Sequence, residues 1–202
     1  MKYLIMIMGL FLLYSCTLTR TIRTNIVFKK ETPEALLSFL EGKGAAYDRA
    51  DIATLNGINA WISYNDTGKL SVTEAYFFNK EGYRVKDNFK GTSCGQVINN
   101  AHQINTAPSD NKEHITTWLK DYDFLFEENP VALPAEEYDA YVIVTWAKFV
   151  DPITTSSNEN AVAWYKSLRN NHDMKIKTIF LNLDIQDTWT LSAEQEKALD
   201  LK

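Results

Sequence analysis

The stretch YVIVTW at residues 141–146 limits the folds open to this chain more than any other. It is apolar almost without interruption and lacks the alternation of a half-buried strand, so it is expected to be a strand covered by helices on both faces. A polar turn follows, and then Ala161, Trp164, Tyr165 and Leu168 fall on one face of a helix. Ser156 and Glu159 are spaced as a capping box at the start of that helix. KIKTIFLNLDI, residues 175–185, supplies a second buried strand, and SAEQEKAL, residues 192–199, a closing helix. Strand, helix, strand predicts a right-handed parallel crossover, and hence an α/β sheet.

Upstream, Thr32 can cap a helix that has Pro33 in its first position, runs through Leu40 and ends at Gly42. A second short helix is expected over Arg49–Leu55. NAWISY (59–64) and LSVTEAYFF (70–78) read as strands, and YFFNKEGYRV (76–85) as a tight hairpin turning at Asn79–Gly82. Two helices are expected next, over Cys94–Ile104 and Ser109–Leu125. In the second, Ile115, Trp118, Leu119 and Tyr122 share an apolar face. EENPVALPAEE (127–137), with its two prolines and run of acids, is the best candidate for an internal joint. No repeat or low-complexity segment divides the chain, so residues 31–202 read as a single α/β domain.

The N-terminus, MKYLIMIMGLFLLYSC, has one lysine, Lys2, then an apolar run from Tyr3 to Tyr14, then Ser15 and Cys16. A membrane-spanning helix needs about 20 apolar residues, so the run is too short to span. It has the layout of a secretory signal. Leu13-Tyr14-Ser15-Cys16 resembles a bacterial lipobox, which implies that residues 1–15 are a signal peptide and that Cys16 carries lipid. Each buried acyl methylene then contributes about 0.8 kcal/mol to anchoring. The other readings are an ordinary signal peptide cut nearby and an N-terminal membrane anchor. Residues 16–30 read as a tether. The segment after Cys16 carries Arg20 and Arg23 and no acid. By the same resemblance, the absence of an Asp or an acidic cluster there implies the cell outer membrane, with the domain facing the periplasm.

Loss of residues 1–15 would remove Lys2 alone among the charges and move the formal balance from −5 to −6. A mildly acidic chain without a basic block gives no footprint for nucleic acid. With Cys16 lipidated, Cys94 has no partner in the chain, so no disulfide can staple the domain. Cys94 is the remaining candidate thiol. Its neighbours Thr92, Ser93 and Gly95 are small and polar, and a nearby helix N-terminus would lower its pKa. The one-cysteine peroxidase pattern wants a Thr three residues before the cysteine, whereas Thr92 is two before it. A small buried or half-buried cysteine is the favoured reading.

LPAEEYDAYVIVTWAKFVDPI, residues 133–153, resembles the first strand and active-site turn of thioredoxin-like redoxins. In particular it resembles their lipid-anchored or periplasmic thiol–disulfide branch, whose turn reads W-A-x-W-C-x-P-C. Trp146, Ala147 and Pro152 match that pattern, Phe149 stands for the second Trp, and Val150 and Ile153 take the two cysteine positions, with Asp151 between them. IFLNLDIQDTW resembles the family's second strand and its acidic exit, with Asp184 and Trp189, so the resemblance covers residues 133–189. It implies a thioredoxin-like three-layer sandwich with an N-terminal α+β extension, and a catalytic turn without its sulfurs. Thiol–disulfide exchange needs an attacking thiolate and a resolving sulfur, so valine and isoleucine exclude it at this turn. The family's cis-proline is also missing, since the prolines stand at positions 33, 108, 130, 134 and 152 only. The hairpin that should follow the crossover is absent too. Either the hairpin at 76–85 completes a rearranged sheet from an earlier place in the chain, or it is unrelated.

His102, His114 and His172 lie too far apart for metal spacing and read as surface or capping residues. The acids of KDYDF (120–124) and NLDIQD (182–187) read as solvated faces, since no glycine-rich calcium loop accompanies them. The five tryptophans, Trp61, Trp118, Trp146, Trp164 and Trp189, read as core. No cofactor is implied. The expected function is binding: a non-catalytic accessory subunit that docks to a protein assembly of the cell envelope. Thiol peroxidase or redox chemistry at Cys94 is the enzymatic alternative, and a purely structural subunit of an outer-membrane complex is the third.

Overall fold

The computed structural model describes residues 27–85, 101–126, 137–150 and 155–201, the side chains of 155–159 excepted. In chain order the strands and α-helices are β1 (Lys30–Glu31), α1 (Pro33–Gly42), β2 (Ile52–Leu55), α2 (Ile58–Thr67), β3 (Ala75–Asn79), β4 (Tyr83–Val85), β5 (Ser109–His114) and α3 (Ile115–Leu119). They continue with β6 (Tyr122–Phe124), β7 (Ala140–Trp146), α4 (Thr155–Arg169), β8 (Ile176–Asn182), β9 (Ile185–Gln186) and α5 (Ala193–Ala198).

β7 is the strand YVIVTW, extended by one residue at its start and buried at every position. It pairs in parallel with β8, from Ala140 opposite Ile176 to Trp146 opposite Asn182, with α4 between the two in sequence. On its other side β7 pairs antiparallel with β3, from Ala75 opposite Val144 to Asn79 opposite Ala140. The hairpin thus joins the sheet next to β7 and turns at Gly82, whose φ of +84° suits glycine. A Cβ there would also meet the His114 ring at 2.6 Å. The main sheet has seven strands in the order β5-β4-β3-β7-β8-β2-β6. The parallel trio β7, β8 and β2 is flanked by antiparallel strands on both sides.

Alternate side chains feed two cores. Ala140, Val142, Val144 and Trp146 of β7 face α1 and α4, together with Phe77 and Phe180. Tyr141 and Ile143 face α2 and α3, together with Tyr76, Phe78, Ile179 and Leu181. Rings link the first core from helix to helix. Phe39 stacks on Trp146 at 5.9 Å, Trp146 on Phe180 at 5.2 Å and Phe180 on Tyr165 at 4.7 Å. In the second core Trp118 is fully buried among Tyr64, Tyr76 and Phe78. Burying a side chain of this size contributes about 1.5–3 kcal/mol, so these two layers hold the sheet.

Several expectations are corrected here. Residues 31–126 form no separate α+β extension, because they supply β2 to β6, five of the seven strands. Arg49–Leu55 is a single 3₁₀ turn over Arg49–Asp51 followed by β2, whose four residues are all buried. NAWISY lies within helix α2, closed by Gly68 in the left-handed region at φ +62°. Ser109–Leu125 is a strand, one helical turn and another strand. Ile115, Trp118 and Tyr122 nevertheless share a core, as their spacing implied. α1 is capped by Thr32, which accepts the Ala35 N–H at 3.1 Å, but its C-cap is Lys43. Residues 94–100 and the joint at 127–136 lie outside the described residues. Among the described residues no helix is long and apolar enough to cross a membrane.

Candidate functional site

The turn after β7 leaves the sheet at the carboxyl end of the parallel trio, where loops of α/β sheets gather ligand sites. Trp146 ends the strand, 1 % exposed and held in the ring stack. Lys148–Val150 then forms a 3₁₀ turn. Of the residues assigned to this turn from sequence, Trp146, Phe149 and Val150 are described, with Phe149 and Val150 half-buried. Asp151, Pro152 and Ile153 lie outside the described residues, as do Cys16 and Cys94.

Asp184 holds the turn in place. Its carboxylate accepts the Lys148 N–H at 2.7 Å, the Phe149 N–H at 3.1 Å and the Asn182 amide at 2.7 Å. Asn182 in turn accepts the Asp184 N–H and the Gln186 amide. Asn182, Asp184 and Gln186 are each at most 2 % exposed. NLDIQD is therefore, apart from Asp187, a buried polar network and not a solvated face. Burial pushes the Asp184 carboxyl above the ordinary carboxylate range, against the lowering pull of its three N–H donors, and the Glu31 charge adds to the rise. Leu183 ties the same loop back to the strand, donating its N–H to the Trp146 carbonyl at 2.9 Å.

A second loop is fixed beside the end of β7. Thr145 is the one polar residue in that strand and is fully buried. Its hydroxyl donates to the Ser71 carbonyl at 2.6 Å and accepts the Glu74 N–H at 2.9 Å. Between those anchors Thr73 has φ +60°, a costly conformation for a β-branched residue, and its hydroxyl is buried without a partner.

The N-terminal segment covers the turn. Residues 28–31 are docked, so the expected tether ends before Phe28. The Phe28 ring packs edgewise on Phe149 at 5.0 Å and on Trp61 at 5.7 Å. Trp61 donates its indole N–H to the Leu183 carbonyl at 3.0 Å. β1 pairs in parallel with β9, Glu31 opposite Gln186, and the Glu31 carbonyl accepts the Asp187 N–H at 3.0 Å. The Glu31 carboxylate also forms an ion pair with Lys148 on the turn. Past Phe149 a small, open apolar cleft of about 80 Å³ continues between Leu55, Trp61, Tyr64, Leu70, Val72 and Leu183.

The sequence reading names the turn and Asp184, the latter also as part of a solvated face, but not Phe28, Glu31, Trp61 or Lys148 as neighbours of the turn. No local pattern marks those four, because they converge from separate elements. Asn182 and Gln186 carried a signal: polar residues flanking Asp184 at the end of a buried strand are held by hydrogen bonds to something.

The other charged clusters serve the fold. Asp51 accepts the Tyr165 hydroxyl at 2.8 Å and the Lys177 ammonium at 2.9 Å, joining the 3₁₀ turn before β2 to α4 and β8. His114 caps α3 and reaches the Glu81 carbonyl. Among the described residues no group of three or more His, Cys, Asp or Glu is placed to hold a metal ion. Chemically, the described part of the turn offers an apolar and aromatic surface with one paired cation, backed by a buried carboxylate whose oxygens are taken. Comparison of the chain with family models, with curated proteins and with solved structures gives no match.

Proposed function

We propose that this chain is a lipid-anchored, periplasm-facing protein of the cell outer membrane, built on a rearranged thioredoxin-like sheet. Its turn has lost redox chemistry and serves as a contact surface for a protein partner in an envelope assembly. One observation carries the rearranged-sheet part of this reading: the hairpin β3–β4 pairs antiparallel with β7 on the side opposite β8. In the redoxins that the sequence resembles, a hairpin fills that place after the crossover, whereas here it comes before it. Val150 and Ile153 support the second half of the reading, since neither side chain can form or break a disulfide. The apolar and aromatic composition around Phe149 is what a docking surface needs at its centre.

A photo-reactive phenylalanine analogue at position 149 tests the reading in intact membranes, with the same group at exposed Lys166 on α4 as control. Adducts to one envelope protein from position 149 and none from position 166 are expected. Equal adducts, or none from position 149, would remove the turn as the contact surface.

A further inference from the structure

Phe28–Glu31 binds the turn in the manner of an added peptide. An aromatic side chain enters an aromatic corner between Trp61 and Phe149, a two-residue backbone ladder runs along β9, and a carboxylate three residues after the aromatic reaches Lys148. Extended segments bind exposed strands in this way, with backbone hydrogen bonds for affinity and alternate side-chain pockets for selectivity. The apolar cleft beyond Phe149 extends past the corner that Phe28 fills.

We propose that this corner is a docking groove for an extended partner segment, and that the chain's own Phe28–Glu31 occupies it in the resting state. The partner segment carries an aromatic residue followed, three positions later, by a carboxylate. The aromatic ring replaces Phe28 and reaches further into the Leu70–Val72–Leu183 cleft, the acid takes over Lys148, and the backbone pairs with Ile185 and Gln186. Glu31 immediately precedes the cap of α1, so displacement frees residues up to Glu31 without unwinding that helix. This rests on the reading of the turn as a contact surface and adds to it the partner's chemistry and the segment that competes with it.

A fluorescein-labelled peptide of sequence IVFKKET, the chain's own residues 26–32, is the probe. A segment tethered next to its groove competes at an effective concentration in the millimolar range, so the wild-type chain should bind the peptide at least about tenfold more weakly than Phe28→Ala/Glu31→Gln, which vacates the groove. Adding Lys148→Glu to the vacated variant should abolish binding, as should replacing the peptide's own Phe and Glu. Glu31→Gln alone keeps Phe28 in place and should show intermediate binding if the double variant does not fold. Equal binding to wild type and variants, or none to any folded variant, overturns the proposal. Failure here alongside specific cross-linking from position 149 would leave the contact surface standing and remove only the displaceable segment, whereas failure of both removes the surface itself.

Discussion

The carboxylate of Asp184 accepts the backbone N–H of Phe149 at 3.1 Å, across 35 residues of sequence, and so fastens the exit of one parallel strand to the turn after its neighbour. A buried acid in this position does structural work at an ionisation cost, and that cost gives the first prediction. Its folded-state pKa lies above the ordinary 3.8 because of burial. A carboxyl raised on folding adds stability that is complete below its unfolded pKa and lost as pH rises through the folded value. The stability of wild type minus that of Asp184→Asn should therefore fall as pH rises from the ordinary carboxylate range. Urea unfolding of both proteins between about pH 3 and 7 measures it. A difference that is constant or grows with pH would contradict the assignment.

The clamp at Thr145 gives the second. Thr145→Val keeps the shape of the side chain but leaves the Glu74 N–H without its acceptor and the Ser71 carbonyl without its donor. These groups are only part-buried, so stranding them should cost about 1 kcal/mol, the low end of the range for an unmade hydrogen bond, which the urea midpoint should show. A loss under about 0.5 kcal/mol would mean that the hydroxyl does not fix the loop around Thr73.

The anchor is tested apart from the fold. Wild type grown with labelled palmitate should take up label at Cys16 and fractionate with membranes, and Cys16→Ser should do neither. Membrane association of the variant, together with an unlabelled wild type, would rule out lipidation and return the N-terminus to a simple signal or anchor.

The sequence spoke clearly where one pattern ran long enough to admit a single explanation. β7, α4 and β8 each had a continuous or periodic apolar signal, and Asn79–Gly82 had turn chemistry. NAWISY reads as a strand because Trp61, Ile62 and Tyr64 favour strands, but in α2 tertiary burial of Ile58 and Tyr64 overrides that preference. The glycine at position 68, placed just after the helix, was the available signal. β5 is an edge strand of charged and polar residues, SDNKEH, with no alternation to detect. The turn could be located from Trp146 and Pro152, whereas its cover could not. Phe28, Trp61 and Lys148 meet only once β1 has docked on β9, a pairing of two residues that leaves no trace in periodicity.

The central claim, that a redoxin-like turn survives here without its chemistry, is tested most directly by returning the sulfurs. In Val150→Cys/Ile153→Cys the two thiols should close reversibly to an intrachain disulfide in the folded protein, since such a turn holds the Cα atoms within the roughly 4.4–6.8 Å a disulfide requires. The variant should remain a poor reductase of protein disulfides, because no proline follows position 152 in the sequence to take the family's substrate-pairing place. Thiol titration before and after mild oxidation, with the fold followed by circular dichroism, gives the result. Quantitative closure without unfolding is the predicted outcome. Two thiols that stay free in a folded, oxidised sample would contradict the redoxin-like turn and the account built on it.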